Sequence, residues 1–430
     1  MSSARRPDIT GPDATDSGAT GPDASARRWL SFVPFRSVTV PSLIWPALGV
    51  ALLLGSAAPL INKYLIGFPD EIWQVDLEVY REGARSLVEG RPVYDWLTDN
   101  PQYLPFTYPP FAALVGTVLL IAPFGVVGWA WTVLQLALLW ICTGIAFRPL
   151  LDRCGVRRGL AQGGVAALLV HLQPVQEGIR FGQVNAVLVT LCLVDVVRRR
   201  VGWWPRGSLT GIATAIKLTP GVFWIHYALA RQWRVALISA GTAAAATVIT
   251  FLVAPSATIV FWTDALIDPG RLGPNAHTQN QSLRGVLLRL GLEEGPRLSL
   301  IWLVTVVVVA GLGFRLALLL ERAGEPVAVV GTLGMIAVLV SPVSWTHHYY
   351  WGVVALAAVL GDGRRTGRIV ATVVGGAMLW FPLPWWGADW RSDGGWLGAA
   401  GFVVEQSDCW FALLALAGMA WFSVRDRRTI

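Results

Sequence analysis

The chain is a succession of long apolar runs separated by short polar connections. The runs fall at 39–61, 109–147, 160–174, 183–197, 207–230, 235–255, 297–320, 326–341, 346–361, 368–385 and 400–423. About 17 to 25 predominantly apolar residues suffice for a helix to cross the hydrocarbon core of a bilayer. The pattern therefore predicts an all-α polytopic membrane protein, with ten to twelve transmembrane helices depending on how two runs are divided. The 39 residues of 109–147 are long enough for two crossings, while 207–230 holds only two short helices. Half-helices broken by Pro or Gly resolve both, because non-helical backbone is tolerated at membrane depth where protein or a water-filled cavity surrounds it.

The connections sort by charge. Arg-rich ones at 27–28, 148–158, 198–200, 231–234, 322, 364–368 and 425–428 are assigned to the cytoplasm. Those at 62–108, 174–183, 256–296, 342–348 and 385–399 then face outward, and they carry Asp, Glu, His, Asn, Gln and aromatic residues in clusters. Any active site is expected on that extracytoplasmic face of the plasma membrane, with both termini cytoplasmic. Residues 1–28 are rich in Ser, Gly, Pro and Asp and cannot bury enough apolar surface to order themselves. They are expected to form a disordered cytoplasmic tail ahead of a membrane domain at 29–430.

Composition sharpens this picture in two ways. The chain is 54% hydrophobic and 14% charged, against about 25% charged in soluble domains, which excludes an ordinary globular protein. Its net charge of +7 comes from arginines grouped between apolar runs, so they read as topology signals and no nucleic-acid partner is expected. Lys63 and Lys217 are the only lysines, and Lys217 lies inside an apolar region. Cys142, Cys154, Cys192 and Cys409 are scattered without CxxC spacing, arguing against a disulfide framework or a zinc site.

Candidate chemistry gathers in the outward segments. Asp76 follows the first crossing, at the start of a stretch with apolar positions 72, 75, 79, 84, 87 and 88 that predicts an amphipathic helix on the membrane surface. Its carboxylate is either a reacting group at headgroup depth or a solvated helix cap. Leu104-Pro105-Phe106-Thr107-Tyr108-Pro109-Pro110-Phe111 reads as a rigid helix entry, since paired prolines cannot occupy a helix interior. Gln183 and Asn185, preceded by Gln176, Glu177 and Arg180, either bind sugar hydroxyls or cap the next helix. Lys217, before Thr219-Pro220, either faces a polar cavity, where a freed backbone carbonyl would satisfy it, or snorkels to the interface. The long loop supplies Asp264, Asp268, Arg271, Asn275, His277, Asn280, Gln281, Ser282 and Arg284; Arg271 and Arg284 have the forked donors that suit a phosphate. His347 and His348 are adjacent and diverge by about 100° on a helix, so they make a poor metal pair by themselves.

Taken in order, Asp-Leu-Glu-Val-Tyr, Phe-Thr-Tyr-Pro-Pro-Phe, Gly-Gln-Val-Asn, Ile-Lys-Leu-Thr-Pro, Gly-Arg-Leu-Gly-Pro with Asn-Gln-Ser-Leu-Arg-Gly, and Ser-Pro-Val-Ser-Trp-Thr-His-His resemble glycosyltransferase family 87. The resemblance runs from about residue 75 to 351. It implies a GT-C-type helical bundle, and it is nearest to α-1,2-mannosyltransferases that extend phosphatidylinositol mannosides and lipomannan from polyprenyl-phosphate mannose. An outer-loop Asp after the first crossing serves as base in that group, and Asp76 occupies that place. The implied reaction is a single displacement with inversion: Asp76 takes a proton from an acceptor 2-hydroxyl, and polyprenyl phosphate leaves. Arg271, Arg284, Lys217 and His348, in that order, are expected to stabilise the phosphate, with His347, Asn280, Gln281, Gln183 and Asn185 as further substrate contacts. The implied partners are a polyprenyl-phosphate sugar donor, a glycolipid or lipoglycan acceptor and membrane lipid. No metal or cofactor is expected, since a leaving phosphate needs no proton near neutral pH.

Two rival functions remain at this stage. An arabinofuranosyltransferase using polyprenyl-phosphate arabinose would share the chemistry. A lipid-linked sugar flippase or transporter would spread polar residues through both halves of the membrane, often with an inverted repeat, and neither feature is present.

Overall fold

Several helices, Pro296–Arg322 and Pro326–Val340 among them, begin and end within a few residues of the apolar runs. A computed structural model describes residues 40–67, 73–99, 102–198, 200–201, 204–273 and 275–428; the tail expected at 1–28 lies outside them. Leu43–Ile66, which takes in most of the helix Val40–Ile61, and the helices Phe124–Ala146, Trp233–Val253 and Pro296–Arg322 are long and apolar enough to cross a membrane. Two further pairs are bent at a short break, Thr366–Trp380 with Leu383–Ser392 by 62° and Gly395–Glu405 with the helix from Ser407 by 56°. Among the described residues the candidate crossings thus number four, or up to six if each bent pair is one crossing. The chain is an all-α membrane protein. β structure in the described residues is confined to the two-residue strands Arg200–Val201 and Trp204–Pro205 and a bridge between Leu97 and Pro105.

The count falls below the number of apolar runs because several runs are divided or short. The 109–147 run forms Pro110–Gly116, a 3-10 turn at Thr117–Leu120 and then Phe124–Ala146, interrupted at Pro123, which lacks the N–H to continue a helix. The 207–230 run forms Ser208–Ile216 and Gly221–Leu229, with Lys217 in extended backbone between them.

Packing explains which helices lie inside. Pro326–Val340 is apolar around its whole circumference, and every residue from Val327 to Leu339 is buried. A helix without a polar face is stable only when covered on all sides. It packs against Pro296–Arg322, Gly352–Leu360 and Ser407–Arg428. Val40–Ile61 and Arg158–Leu169 approach so closely that a side chain added at Gly163 would stand 2.2 Å from the Gly49 carbonyl oxygen, the small-residue contact typical of membrane helices. On Pro296–Arg322, Leu300, Leu303, Val304, Val307, Val308 and Leu312 are exposed. So continuous an apolar face suits lipid rather than water.

One sequence expectation changes here. Val75–Val88 is helical, but it is cradled by protein rather than resting on a surface: Val75, Leu77, Val79, Tyr80, Gly83, Ala84 and Ser86 are all buried. The Phe106 ring fills the space that a side chain at Gly83 would need. Of the apolar positions that suggested a membrane face, Val88 is exposed, and residue 72 lies outside the described residues.

Candidate active site

Asp76 is the second residue of Val75–Val88, in the first turn, where the helix dipole favours a carboxylate. The turn is entered through Gln74 in left-handed backbone (φ 48°), whose side-chain amide donates to Thr132 Oγ1 at 2.9 Å and to the Gly128 carbonyl at 3.2 Å. The outward segment at 174–183 holds a short helix, Gln173–Phe181, that its apolar pattern does not signal; it ends at Gly182, in left-handed backbone that a residue without Cβ adopts freely. That stop delivers Gln183, whose Nε2 donates to Asp76 Oδ2 at 2.6 Å. Gln183 Oε1 accepts from Tyr80 Oη at 3.1 Å and from Asn185 Nδ2 at 3.3 Å. Tyr80 and Tyr108 hydroxyls are 3.0 Å apart, and Asn185 also donates to the His347 carbonyl at 3.1 Å.

Lys217 completes the arrangement. The helix break aims its ammonium into the protein, with Nζ 2.9 Å from His348 Nε2 and 5.2 Å from the centre of the Tyr108 ring. Its partner is therefore an imidazole, not the freed backbone carbonyl that the sequence suggested. His347 and His348 sit on the 3-10 turn Thr346–Trp351 with their rings edge to face, 4.7 Å between centres.

Asp76, Tyr108, Gln183, Lys217, His347 and His348 line one cavity of about 1960 Å³. Arg271, Asp268, His277 and Gln279 line it from the long loop, and Trp224, Ile225, Ala243, Ala244 and Val248 give it an apolar arm. Burial pushes the Asp76 carboxyl above the ordinary aspartate value, opposed by His347, the Gln183 bond and Lys217. A carboxylate so placed is a better proton acceptor than one in water. Among the described residues, no group of three or more His, Cys, Asp or Glu side chains is placed to hold a metal ion.

Of the remaining candidates, only Arg271 lines the cavity. Arg271 reaches it while donating to the Tyr94 carbonyl and lying over the Tyr94 ring. Arg284 does not line it; its guanidinium pairs with Glu294 and lies over Trp302. Asn280 is fully buried, donating to the Asn275 and Pro342 carbonyls and accepting from the backbone of Ser282 and Ser344. Gln281 donates to the Thr278 and Glu405 carbonyls. These two and Ser282, which caps Leu283–Arg289, build the corner joining the long loop to the Ser341–Ser344 turn. Asn185 likewise stands behind Gln183. In the other direction, Tyr108 belongs to a segment read as a structural helix entry, yet it faces the cavity.

A model of glycosyltransferase family 87 matches residues 106–342, more than half of the chain. The chain belongs to glycosyltransferase family 87. It is therefore an enzyme of glycosyl transfer, built in a membrane. The polyprenol-phosphate-mannose-dependent alpha-(1-2)-phosphatidylinositol mannoside mannosyltransferase of Mycolicibacterium smegmatis is 35% identical to this glycosyltransferase over 341 residues, 72% of this chain and 76% of its own. The protein of that description from Mycobacterium tuberculosis is 33% identical over 350 residues, covering 77% and 81%. A polyprenol-phosphate-mannose-dependent alpha-(1-2)-phosphatidylinositol pentamannoside mannosyltransferase of Mycobacterium tuberculosis is 32% identical over 408 residues, 91% and 90% of the two chains. No solved structure matches. The family match takes in Tyr108, Gln183, Lys217 and Arg271, while Asp76, His347 and His348 lie beyond its ends.

Proposed function

We propose that this family 87 glycosyltransferase moves mannose from polyprenyl-phosphate mannose onto a mannosylated phosphatidylinositol glycolipid, forming an α-1,2 linkage with inversion. One observation carries the reading: a half-buried carboxylate and a cluster of nitrogen bases open into the same cavity. Asp76 accepts the proton of the acceptor 2-hydroxyl, and that oxygen bonds to the anomeric carbon as the bond from this carbon to the phosphate oxygen breaks. The departing phosphate gains negative charge, which Lys217, His348 and His347 are placed to stabilise, with Arg271 at the loop side. A volume of about 1960 Å³ exceeds the roughly 300–1,000 Å³ of a pocket for one small ligand, as two substrates require. The apolar arm suits the donor's lipid chain. The names of the relatives support mannose as the sugar.

In this reading the bundle is of GT-C type with ten to twelve helices across the plasma membrane. The cavity opens on the extracytoplasmic side and both termini are cytoplasmic. The test is a membrane assay offering labelled polyprenyl-phosphate mannose and polyprenyl-phosphate arabinose separately, followed by linkage analysis. Label from the mannose donor in a 1,2-linked product is expected. Label from the arabinose donor alone, or movement of lipid-linked sugar across the bilayer without transfer, would overturn the reading.

A further inference from the structure

His347 lines the cavity and is only 7% exposed, yet neither of its ring nitrogens has a hydrogen-bond partner. Glu177, on Gln173–Phe181, lies outside the cavity lining and is 8% exposed. Its Oε2 stands 3.7 Å from His347 Nδ1, and the carboxylate is turned toward the His347 backbone N–H, which favours its charged form. A separation of 3.7 Å is beyond a hydrogen bond but within reach of an ion pair. Burying a carboxylate is costly; Arg180 on the same helix offsets part of that cost, and the His347 ring offsets more of it only once it gains a proton.

The surroundings define what that proton would feel. Burial pushes the His347 ring down to about 4, with Asp76 opposing and Lys217 adding to the shift, so the ring gains its proton only when a further negative charge arrives; His348 adjoins it on the same turn. Arg180 stands on the helix that carries Glu177, and Asp408 of Ser407–Arg428 is a second buried acid close to Glu177. The ring is thus held between two carboxylates on separate elements, one facing the substrates and one behind.

We propose that Glu177 is a positioning residue for transfer, fixing the His347 Nδ1–H toward itself so that Nε2 is presented to the cavity, and holding the ring protonated when the donor's anionic phosphate binds. The proton comes from solvent as the donor enters, and the charged ring then faces the phosphate on which negative charge grows. The logic is that of a carboxylate orienting and stabilising an imidazolium. This inference rests on the polyprenyl-phosphate donor of the preceding section.

The test is the pH profile of turnover in purified wild-type, Glu177→Gln, His347→Gln and doubly substituted enzyme. Glu177→Gln keeps an oxygen for the backbone N–H and removes the charge. An opposite charge at this range moves a titration by about one to three units, so the alkaline limb should move down by about one pH unit or more in Glu177→Gln and be partly restored in Glu177→Asp. On the His347→Gln background, Glu177→Gln should change nothing further. An unmoved limb, or an equal additional loss on the His347→Gln background, would overturn the proposal, as would failure of both Glu177 variants to fold. Wild-type enzyme that transfers no mannose from polyprenyl-phosphate mannose would sink the functional reading as well, whereas active wild type with an unmoved limb in Glu177→Gln sinks this inference alone.

Discussion

At the scale of single residues, one amide governs the candidate base. Gln183 spends its donor on Asp76 and its acceptor on Tyr80 and Asn185, so the amide cannot turn over without losing bonds at both ends. Lys217 is the more adjustable neighbour. Burial raises the Asp76 carboxyl above its ordinary value and Lys217 pulls it back. Activity that needs ionised Asp76 is present above that titration and lost as pH falls through it, and removing the cation disfavours the ionised form. Lys217→Met should therefore move the acid limb of turnover to higher pH while leaving folded yield nearly intact; a limb that stays in place would mark Lys217 as remote from the base. The sequence revealed Asp76, Gln183, Lys217 and the two histidines because each is a polar group where its surroundings are apolar or turn-like. It concealed the Tyr80, Tyr108 and Gln183 chain, whose members lie 28 and 103 positions apart, since only folding decides which of many aromatics meet. It also overvalued Arg284, because a side chain suited to phosphate is equally suited to a neighbouring carboxylate such as Glu294.

At the scale of elements, the sequence is most legible where hydrophobicity alone determines the helix. Trp233–Val253 and Pro296–Arg322 fall within a few residues of their apolar runs, because a bilayer demands a continuous apolar stretch and satisfies backbone groups only within the helix. Gln173–Phe181 is less legible: nine residues of which Gln173, Gln176, Glu177 and Arg180 are polar, with Pro174 and Gly178 among them, resemble a loop, and the helix is held by burial of Pro174 through Ile179. The pattern locates Val75–Val88 but not its surroundings, since amphipathicity does not say whether lipid or protein covers the apolar side. Close helix contacts make a sharper test of the packing. Gly163→Leu would drive a side chain into the backbone of Val40–Ile61, and overpacking of this kind costs about 1–3 kcal/mol or more. Its folded yield and thermal midpoint in detergent should drop clearly, whereas Gly55→Ala, on the same partner helix with open space around it, should match wild type. Equal behaviour of the two would refute the Val40–Ile61 and Arg158–Leu169 contact.

For the molecule as a whole, the proposed orientation and chemistry depend on each other. Lipid-linked donor and glycolipid acceptor must reach one cavity from the same face, and the positive-inside rule puts Asp76 opposite the Arg198 turn. Single cysteines at Glu78 and Arg198, in a chain whose exposed Cys154 is replaced by Ser, should differ in labelling by an impermeant reagent on intact cells, with position 78 labelled. Equal labelling would remove the outward-facing site. The central claim is that Asp76 takes the acceptor proton, and Asp76→Asn tests it most directly by keeping the shape while removing charge and basicity. Turnover of purified, folded Asp76→Asn should fall by about a hundredfold or more, the range for a general base being roughly 10² to 10⁴, with donor binding nearly preserved. Glu78→Gln, about 200° around the helix and outside the cavity lining, should retain most activity. Near-normal turnover of Asp76→Asn would contradict the account and pass the role of base to another acid that lines the cavity, Asp95 or Asp268.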